Sequence, residues 1–410
     1  MKLFYNLGIY LASLLVKLLA LFNDKLKKGV TGRADTFQIL DSNINRDDKT
    51  IWFHCASLGE YEQGLPVFKA IRKQYRNHNI LLTFFSPSGY EIRKNANVAD
   101  IVAYLPLDTP NNAKRFLDLV HPELIVFVKY DVWPNYLEVI KKRKYRAILI
   151  SALLRKDHIY FKWYGKFMRQ ALFGFEHIFV QDQGSKALLE SINYHSVTVS
   201  GDTRFDRVSA QLSLDNTIPE IKSFKDDKLC IVFGSTWPED DHLIINYIHT
   251  SSVEDIKYII APHSINNIYI NELKHKIEGE VCLFSDSLSV MKGASVLIIN
   301  NIGLLSKIYS YADIAYVGGA MGKTGLHNIL EPAVFGVPII IGPRYHNFPE
   351  AIALVQRGGV VSIHDNESFE QLMTHLISSM EARQEKGHIN KSFVEENKGA
   401  LIQILDYIRI

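Results

Sequence analysis

The side chains best suited to chemistry in this sequence lie between Tyr316 and Pro338, where an apolar run leads into a glycine-rich loop. Glycine lets the backbone turn sharply and approach a ligand closely, and the loop contains Gly318, Gly319, Gly322 and Gly325. The pattern predicts a helix of one to two turns that opens near His327 and ends at Gly336. The free N–H groups at the start of such a helix attract an anion. Glu331, one turn into the helix, could hold the two hydroxyls of a ribose, so this stretch predicts a nucleotide site.

A second carboxylate, Glu60, follows the apolar run Ile51–Cys55 and the turn that leads into a helix. A carboxylate at the carboxyl end of a strand faces the edge where an open parallel sheet would bind a ligand. Ser57 and Glu60 also match a capping box, in which the glutamate side chain only satisfies a backbone N–H group. The local pattern leaves both interpretations open.

The other candidate residues each follow a predicted strand. They are Ser86, Ser88 and Gly89, then Lys129 and Asp131, then Ser235 and Thr236, and finally His263. Each has a structural alternative. Ser86 followed by Pro87 fits a helix N-cap equally well, and a single histidine after a strand is more often structural than a ligand.

Apolar runs alternate with amphipathic segments along the chain, which is the signature of βαβ units. The strands predicted in the first half are Ile51–Cys55, Ile80–Phe85, Ile101–Tyr104, Leu124–Val128, Ala147–Ile150, His177–Val180 and Val197–Val199. Those in the second half are Leu229–Phe233, Lys257–Ala261, Val281–Phe284, Val296–Ile299, Ile314–Val317 and Val337–Ile341. Open parallel sheets bind ligands at the carboxyl ends of their strands. The sequence therefore predicts two doubly wound α/β domains that face a central cleft.

Length and composition are consistent with two folded domains. The chain has 410 residues, of which 47% are hydrophobic and 22% charged, and this is too long for one ordinary core. A net charge of +2 gives no indication of nucleic-acid binding. Cys55, Cys230 and Cys282 lie in apolar runs without metal-ligand spacing, which favours reduced core cysteines in a cytosolic compartment. No Asp-x-Asp pair or metal-spaced cluster occurs, so neither a metal nor a cofactor is expected.

The N-terminus predicts contact with a membrane. Leu3–Phe22 is apolar except for Asn6, Ser13 and Lys17, which fall on one narrow helical stripe. A basic cluster follows, made of Lys25, Lys27, Lys28 and Arg33. The stripe favours a helix that lies in the interface and a basic cluster attracted to anionic lipid. A single membrane span and a helix packed on its own domain remain open, whereas the lack of a small-residue cleavage site makes a removable signal peptide the weaker interpretation.

Several motifs carry a resemblance to a known family. His327-Asn328-x-x-Glu331-Pro-Ala-x-x-Gly-x-Pro resembles the nucleotide-sugar site of GT-B glycosyltransferases, and is most similar to that of the 3-deoxy-D-manno-octulosonic acid (Kdo) transferases acting on lipid A. Ser57-Leu-Gly59-Glu60 looks like the family's Ser-x-Gly-Glu motif, whose glutamate is the proposed general base. The resemblance runs from the basic segment to about residue 359 and comprises several motifs in the family's order.

Other segments are similar to the family with departures. Ser86-Pro-Ser-Gly89 resembles the family's Thr-Pro-Thr-Gly segment, which lies near the donor or acceptor sugar. Gly234-Ser-Thr-Trp237 resembles the family's Ser-Thr segment, which could contact a phosphate or a pyrimidine. In Lys129-Tyr-Asp-Val-Trp-Pro-Asn135, Lys129 stands where an acid is common and Asp131 replaces a glutamate; the lysine could bind the donor carboxylate or a lipid A phosphate. His263 stands near the place of an arginine in the family's Pro-Arg-His. Arg344, Asn347 and Phe348 fit the tail of the family's site.

The resemblance implies a GT-B fold and an inverting Kdo transferase. The donor would be CMP-Kdo and the acceptor a tetraacylated, bisphosphorylated lipid A precursor (lipid IVA), used at the cytoplasmic face of the inner membrane in contact with anionic lipid. The implied segments are a membrane-contact segment at 1–33, an acceptor-binding Rossmann-like domain at 34–205, a linker at 206–228 and a nucleotide-sugar-binding Rossmann-like domain at 229–410. The final helix, Phe393–Ile408, would cross back to the first domain. The alternatives are another GT-B enzyme using a UDP-sugar, including an epimerase, and a membrane-bound binding protein without catalysis.

Overall fold

The structure is a computed structural model that describes residues 1–251 and 255–409. The chain forms two compact units. The first contains Met1–Arg207 together with Lys398–Ile410, and the second contains Val208–Asn397.

The first unit is built on a sheet of seven parallel strands. In chain order they are β1 Thr50–Cys55, β2 Asn79–Phe84, β3 Ile101–Tyr104, β4 Pro122–Val128, β5 Arg146–Ala152, β6 His177–Val180 and β7 Val197–Val199. Their order across the sheet is β3-β2-β1-β4-β5-β6-β7. The helices up to the boundary are α1 Lys2–Leu19, α2 Asp24–Asn43, α3 Leu58–Gln74, α4 Pro87–Arg93, α5 Pro110–Val120, α6 Pro134–Arg143, α7 Lys166–Leu172, α8 Gln183–Glu190 and α9 Thr203–Gln211.

Apolar side chains on both faces of this sheet explain why its strands appear as continuous apolar runs in the sequence. Successive strand residues point to opposite faces. Trp52 and Phe127 belong to one buried cluster, while Phe53 and Val126 belong to the other. Helices cover both faces of a parallel sheet, so both faces must be apolar.

The second unit contains a second sheet of seven parallel strands. They are β8 Leu229–Thr236, β9 Ile256–Pro262, β10 Val281–Leu283, β11 Val296–Ile298, β12 Ile314–Val317, β13 Ile339–Ile341 and β14 Val360–Ser362, in the order β10-β11-β9-β8-β12-β13-β14. Its helices are α10 Pro219–Lys225, α11 Pro238–Thr250, α12 Asn267–Lys276, α13 Leu288–Gly293, α14 Leu305–Ile308, α15 Leu330–Ala333, α16 Pro349–Arg357, α17 Asn366–Ser378 and α18 Met380–Asn397. The last helix of the chain is α19 Ala400–Tyr407.

Two parallel, doubly wound sheets confirm the predicted fold class of tandem Rossmann-like domains. Every predicted strand is present, with ends that differ by no more than a few residues. The sequence gives no indication of β14, because two glycines, Gly358 and Gly359, precede it and its apolar run is short.

The C-terminal segments differ from the predicted boundaries. The predicted helix Phe393–Ile408 is two helices, because Gly399 adopts a φ of +117° between them. α19 packs on the first unit, where Ile404 joins the cluster of Phe53 and Phe68.

The predicted linker 206–228 contains most of α9 and all of α10, and Lys225 of α10 bonds to Asp313 of the second unit over 2.7 Å.

Helix α1 contacts the rest of the first unit through polar side chains near its N-terminus. The Tyr5 hydroxyl donates to Asp108 over 2.8 Å, Asn135 donates to Asn6 over 2.9 Å, and the Lys2 ammonium pairs with Glu138. The opposite, apolar side is exposed; it comprises Leu3, Phe4, Leu7, Leu11, Leu14, Leu15 and Leu18. The helix is long and apolar enough to cross a membrane by length and composition. Its apolar side is therefore left uncovered by the first unit.

Candidate functional site

The candidate residues of the first unit gather where its strand order reverses. The chain proceeds from β1 to β2 and β3 on one side and then returns to place β4 on the other side of β1. Ser57 and Glu60 follow β1, while Lys129 and Asp131 follow β4. In open α/β sheets ligands bind at such a switch point, outside the carboxyl ends of the strands.

Glu60 lies half-buried in the first turn of α3. Ser57 is the N-cap of this helix but makes no side-chain cap bond to its backbone, and its hydroxyl donates instead to the Glu60 carboxylate. The paired side-chain-to-backbone bonds that define a capping box are thus not the arrangement found here. Gly59 is exposed, and an added side chain would meet only the Ser57 hydroxyl, at 3.8 Å. Packing alone does not require glycine at position 59.

Asp131 is buried in the same place and interacts with Glu60 through charge. Burial, together with a smaller effect of the Glu60 charge, raises the pKa of Asp131 to about 8, against the opposing effect of a hydrogen bond from the Ala56 backbone. A carboxyl group with this pKa is mostly protonated at neutral pH, which removes a like charge beside Glu60.

A buried, neutral imidazole lies beside Asp131. His54 is fully buried, and burial lowers its pKa to about 3, so the ring is neutral. Its Nδ1 pairs with the Thr83 hydroxyl at 2.8 Å, and its Nε2 accepts the indole N–H of Trp133 at 3.1 Å. The approach of Asp131 Oδ2 to Nε2 at 3.4 Å is therefore not an ion pair. The sequence analysis missed His54 and Thr83, because a polar residue inside a strand gives no signal of its neighbours.

The remaining candidates of the first unit have more structural surroundings. Ser86 caps α4, with its hydroxyl accepting from the Ser88 N–H at 3.3 Å. Gly89 is needed for packing, since a Cβ there would lie 2.4 Å from the Phe84 ring. Lys129 has a left-handed backbone, with φ of +69°, and its ammonium lies over the Tyr130 ring at 5.4 Å. Within the described residues it makes no ion pair.

The candidate residues of the second unit also gather at a reversal of strand order, between β8 and β12. Ser235 and Thr236 end β8, and the glycine loop follows β12. A Cβ on Gly318 would lie 2.5 Å from the Ser235 carbonyl oxygen, and one on Gly319 would lie 2.1 Å from that of Gly325. Close backbone packing therefore requires both glycines.

Asp240, which the sequence analysis did not single out, organises this loop. Its buried carboxylate accepts from the Gly319 N–H at 2.8 Å, the Tyr316 hydroxyl at 2.6 Å and the Trp237 N–H at 2.9 Å. The Gly319 N–H is therefore occupied by this carboxylate. The signal in the sequence is Trp237-Pro-Glu-Asp240, in which an acid stands three residues after a helix N-cap.

Three aromatic rings stack beside the glycine loop. Trp237 stacks on His263 with centroids 4.6 Å apart, and His263 lies 4.5 Å from His327. The Trp237 indole donates to His327 Nε2 over 2.9 Å. Burial, with a smaller effect of the neighbouring His263, lowers the pKa of His327 to about 4, and burial also lowers the pKa of His263. Neutral rings supply stacking area and N–H donors. His263 therefore does not supply the positive charge of the arginine that the family's Pro-Arg-His segment has near this place.

Glu331 is held within the predicted helix, which is shorter than expected. α15 begins at Leu330 instead of near His327, because the Asn328 side chain accepts the Leu330 N–H at 3.2 Å and ends the loop. The Glu331 carboxylate accepts from Ser306 at 3.2 Å and from Asn328 at 3.3 Å. Its position is thereby fixed beside the loop.

The segment after β13 also reaches the loop. The Arg344 N–H donates to the Ala320 carbonyl at 3.1 Å, and the Phe348 ring lies 3.5 Å from the place of a Cβ on Gly325. Asn347 lies in the same turn. In residues 1–251 and 255–409, no group of three or more His, Cys, Asp or Glu side chains could hold a metal ion.

Two doubly wound parallel sheets, each with polar residues at its switch point, define an α/β protein of GT-B type. Its similarity to solved structures supports this fold assignment. The UDP-GlcNAc 2-epimerase from Neisseria meningitidis bound to UDP-GlcNAc superposes with a TM-score of 0.60 at 15% identity, covering 87% of this chain and 98% of that one. The UDP-GlcNAc 2-epimerase from Methanocaldococcus jannaschii gives 0.55 at 15% identity, covering 88% and 100%. At this identity the likeness shows the fold alone.

Sequence comparisons give the family. Residues 31–207 match the model of 3-deoxy-D-manno-octulosonic-acid transferase (kdotransferase). The 3-deoxy-D-manno-octulosonic acid transferase of Haemophilus influenzae is 28% identical, covering 88% of this chain and 86% of that protein. The transferase of Aquifex aeolicus is 27% identical, covering 87% and 92%. Residues 31–207 thus match a Kdo transferase domain, and the chain is a glycosyltransferase that resembles Kdo transferases over most of its length.

Proposed function

We propose that this protein transfers Kdo from CMP-Kdo to a tetraacylated, bisphosphorylated lipid A precursor. The observation that carries the proposal is the half-buried Glu60 carboxylate at the β1–β4 switch point, bonded to Ser57 and flanked by the raised-pKa carboxyl of Asp131. A general base must be unprotonated and close to the proton it takes. A protonated Asp131 leaves Glu60 as the carboxylate available for that role.

In the proposed step, a glucosamine hydroxyl oxygen attacks the anomeric carbon of Kdo while Glu60 takes the hydroxyl proton. The bond between that carbon and the CMP phosphate oxygen breaks, and CMP leaves with the electron pair. Attack opposite to the leaving group inverts the configuration. Ser57 orients Glu60, and Ser86, Ser88 and Lys129 contact the sugar or acceptor.

The nucleotide would be bound by the second unit. Glu331, fixed by Ser306 and Asn328, accepts from the ribose hydroxyls, and the Trp237–His263–His327 stack offers N–H donors and ring surface. Ser235 and Thr236 supply further polar groups beside the loop. The expectation that no metal takes part rests on the lack of an Asp-x-Asp pair in the sequence, and transfer measured in EDTA should equal transfer without it.

The lipid acceptor and the anionic inner membrane are supported by helix α1. Its apolar side is exposed and the basic residues Lys25, Lys27 and Lys28 follow at once, which suits a helix lying in the cytoplasmic interface. Arg33 does not belong to this basic surface, which corrects the predicted cluster. Its guanidinium donates to the Leu105 carbonyl at 3.2 Å and lies over the Phe85 ring at 4.4 Å, so it ties α2 to the end of β2.

The alternatives are a UDP-sugar enzyme, including an epimerase, and a binding protein without catalysis. The solved epimerases share the fold, but the Haemophilus influenzae and Aquifex aeolicus relatives, which match most of the chain in sequence, are Kdo transferases. Incubating the full-length protein with CMP-Kdo and lipid acceptor, and separately with UDP-GlcNAc, separates the three. We expect Kdo-modified lipid and CMP in the first reaction only. Epimerised UDP-sugar, or binding of CMP-Kdo without turnover, would contradict the proposal.

A further inference from the structure

Between β5 and α7 the first unit presents a segment with exposed aromatic side chains, Arg155–Lys166, called here the Trp163 segment. Trp163 is 91% exposed, more than any other large apolar side chain in the described part of the chain. Tyr164 is 50% and Ile159 42% exposed. Tryptophan is usually buried for most of its surface, so this exposure indicates a surface that something else covers.

The shape of the Trp163 segment is fixed by internal contacts. Arg169 donates to the carbonyls of Tyr160 at 2.7 Å and Lys162 at 2.9 Å. Tyr160 itself is buried in the core. Gly165 has no room for a side chain, since a Cβ would lie 1.6 Å from the Ile159 carbonyl oxygen. The fold therefore holds Trp163 outward at a defined place.

The charges of the segment favour one kind of partner. It contains four cationic side chains, Arg155, Lys156, Lys162 and Lys166, against a single carboxylate, Asp157. Tryptophan and tyrosine prefer the headgroup region of a bilayer, where the ring is apolar and its N–H or O–H stays hydrated. Lysine and arginine beside such rings are attracted to anionic lipid. Exposed rings together with basic residues match an anionic membrane surface.

The Trp163 segment is continuous with helix α1. Phe167, four residues after Trp163, packs on Tyr5 of α1 with ring centroids 5.4 Å apart. Phe4 and Leu7, on either side of Tyr5 along the helix, are exposed. At the other end of the segment, the His158 ring lies 6.0 Å from that of Tyr130, which follows β4 between Lys129 and Asp131. The segment thus links the apolar helix to the carboxyl edge of the sheet.

We propose that the Trp163 segment is a second membrane-contact element, which places Trp163 and Tyr164 in the headgroup region of an anionic bilayer beside α1. Contact at two places fixes the orientation of the first unit on the membrane, which contact by one helix does not. The carboxyl edge with Glu60 and Asp131 then lies next to the lipid surface. This inference builds on the membrane contact of the proposed function, but its test needs no transfer reaction.

The first measurement is quenching of tryptophan fluorescence in the full-length protein. Vesicles of phosphatidylethanolamine and phosphatidylglycerol would carry lipids brominated near the headgroup. Trp52 is fully buried and Trp133 and Trp237 are partly buried, so Trp163 should provide most of the quenched signal. We expect quenching of the wild type and loss of most of it in Trp163→Phe. Equal quenching of both proteins, or none in a wild type that is bound to the vesicles, would overturn the proposal.

The second measurement is vesicle flotation of Trp163→Ala combined with Tyr164→Ala. Removing two large rings from the interface should weaken binding roughly tenfold or more, given the free energy of burying such side chains. Ile302→Ala, which truncates an 87% exposed side chain of the second unit, is the matched control and should bind as the wild type does. Unchanged melting temperatures would show that the variants are folded, as expected for exposed positions. Wild-type affinity of the double variant would refute the second contact.

A transfer assay separates this proposal from the proposed function. The double variant should use a short, water-soluble acceptor analogue as the wild type does, and lose activity only on long-chain acceptor in vesicles. If the wild type transfers to neither acceptor, the proposed function fails while the quenching result still decides the membrane contact. Equal activity of variant and wild type on vesicles would contradict the role of the segment.

Discussion

The indole N–H of Trp133 donates to Nε2 of His54 over 3.1 Å, and this contact sets the chemistry of the carboxyl edge of the first sheet. This hydrogen bond uses the lone pair on Nε2 of a neutral imidazole. Asp131 lies 3.4 Å from the same nitrogen and therefore forms no ion pair with His54. Buried and beside Glu60, Asp131 is stabilised as the protonated acid. Asp131 therefore adds no like charge beside Glu60 at neutral pH.

Replacing Asp131 by asparagine should change how stability depends on pH. The pKa of Asp131 is raised from 3.8 to about 8 in the folded state, so the folded protein holds a proton that the unfolded chain releases. The bound proton therefore stabilises the folded protein at low pH, and this contribution to the free energy of unfolding is lost as the pH rises from about 4 to about 8. Asp131→Asn should lose less stability than the wild type over this range, as measured by melting temperature against pH.

Asp157→Asn is a suitable control for that measurement, because Asp157 is 75% exposed in its ion pair with Arg155. Its melting temperatures should follow the wild type at each pH. An identical slope for Asp131→Asn and the wild type would show that Asp131 is ionised in the folded protein.

Glu60→Ala should lower transfer with little effect on CMP binding, because Glu60 acts on the acceptor hydroxyl. Losing a positioned general base costs about 10²–10⁴-fold in rate. The measurement is kcat on CMP-Kdo and lipid acceptor, together with CMP affinity by calorimetry.

Glu62→Ala, in the same helix, gives the matched control for Glu60. Glu62 pairs with Arg93 at 2.7 Å and with Arg207 at 3.1 Å, so its loss should lower the melting temperature and leave kcat nearly unchanged. A Glu60→Ala protein that behaves in this way, less stable but fully active, would mean that Glu60 has only a structural role.

Glu331→Gln should weaken binding of CMP and of CMP-Kdo alike, since a ribose contact is common to both. A hydrogen bond to a charged group contributes roughly 1.5–3 kcal/mol. Ser306→Ala, which removes one partner of Glu331, should weaken binding less, because the bond from Asn328 remains. Calorimetry that finds wild-type affinity for Glu331→Gln would exclude Glu331 from the nucleotide site.

Leu11→Glu combined with Leu14→Glu should release the protein from membranes. These side chains are 60% and 59% exposed, so the fold should be unaffected, whereas two carboxylates on the apolar side of α1 oppose burial in the acyl region. Vesicle flotation measures the effect, and Ile402→Glu, at a 65% exposed position of α19, is the control. Unchanged flotation of the Leu11 and Leu14 variant would place membrane contact elsewhere.

The sequence by itself determined the fold class, because a parallel sheet covered on both faces needs strands that are apolar along their whole length. Trp52 and Phe53 point to opposite layers, yet both are apolar, and the run is visible without coordinates. The spacing of the glycines also predicted the glycine loop. The structure gives the physical reason, because a side chain at Gly318 or Gly319 would collide with the backbone. The strand β14 escaped because two glycines precede it and its apolar run in the sequence is too short to indicate a strand.

Only the tertiary structure decided the state of the candidate groups, because pKa and hydrogen bonding depend on neighbours that are distant in sequence. Asp131 is adjacent to neither His54 nor Glu60 along the chain, and Asp240 reaches Gly319 across 79 positions. The same reason applies to helix α1. The sequence predicted its polar stripe. Only the packing of the helix on the rest of the first unit shows that Tyr5 and Asn6 bind Asp108 and Asn135, which leaves the leucines exposed.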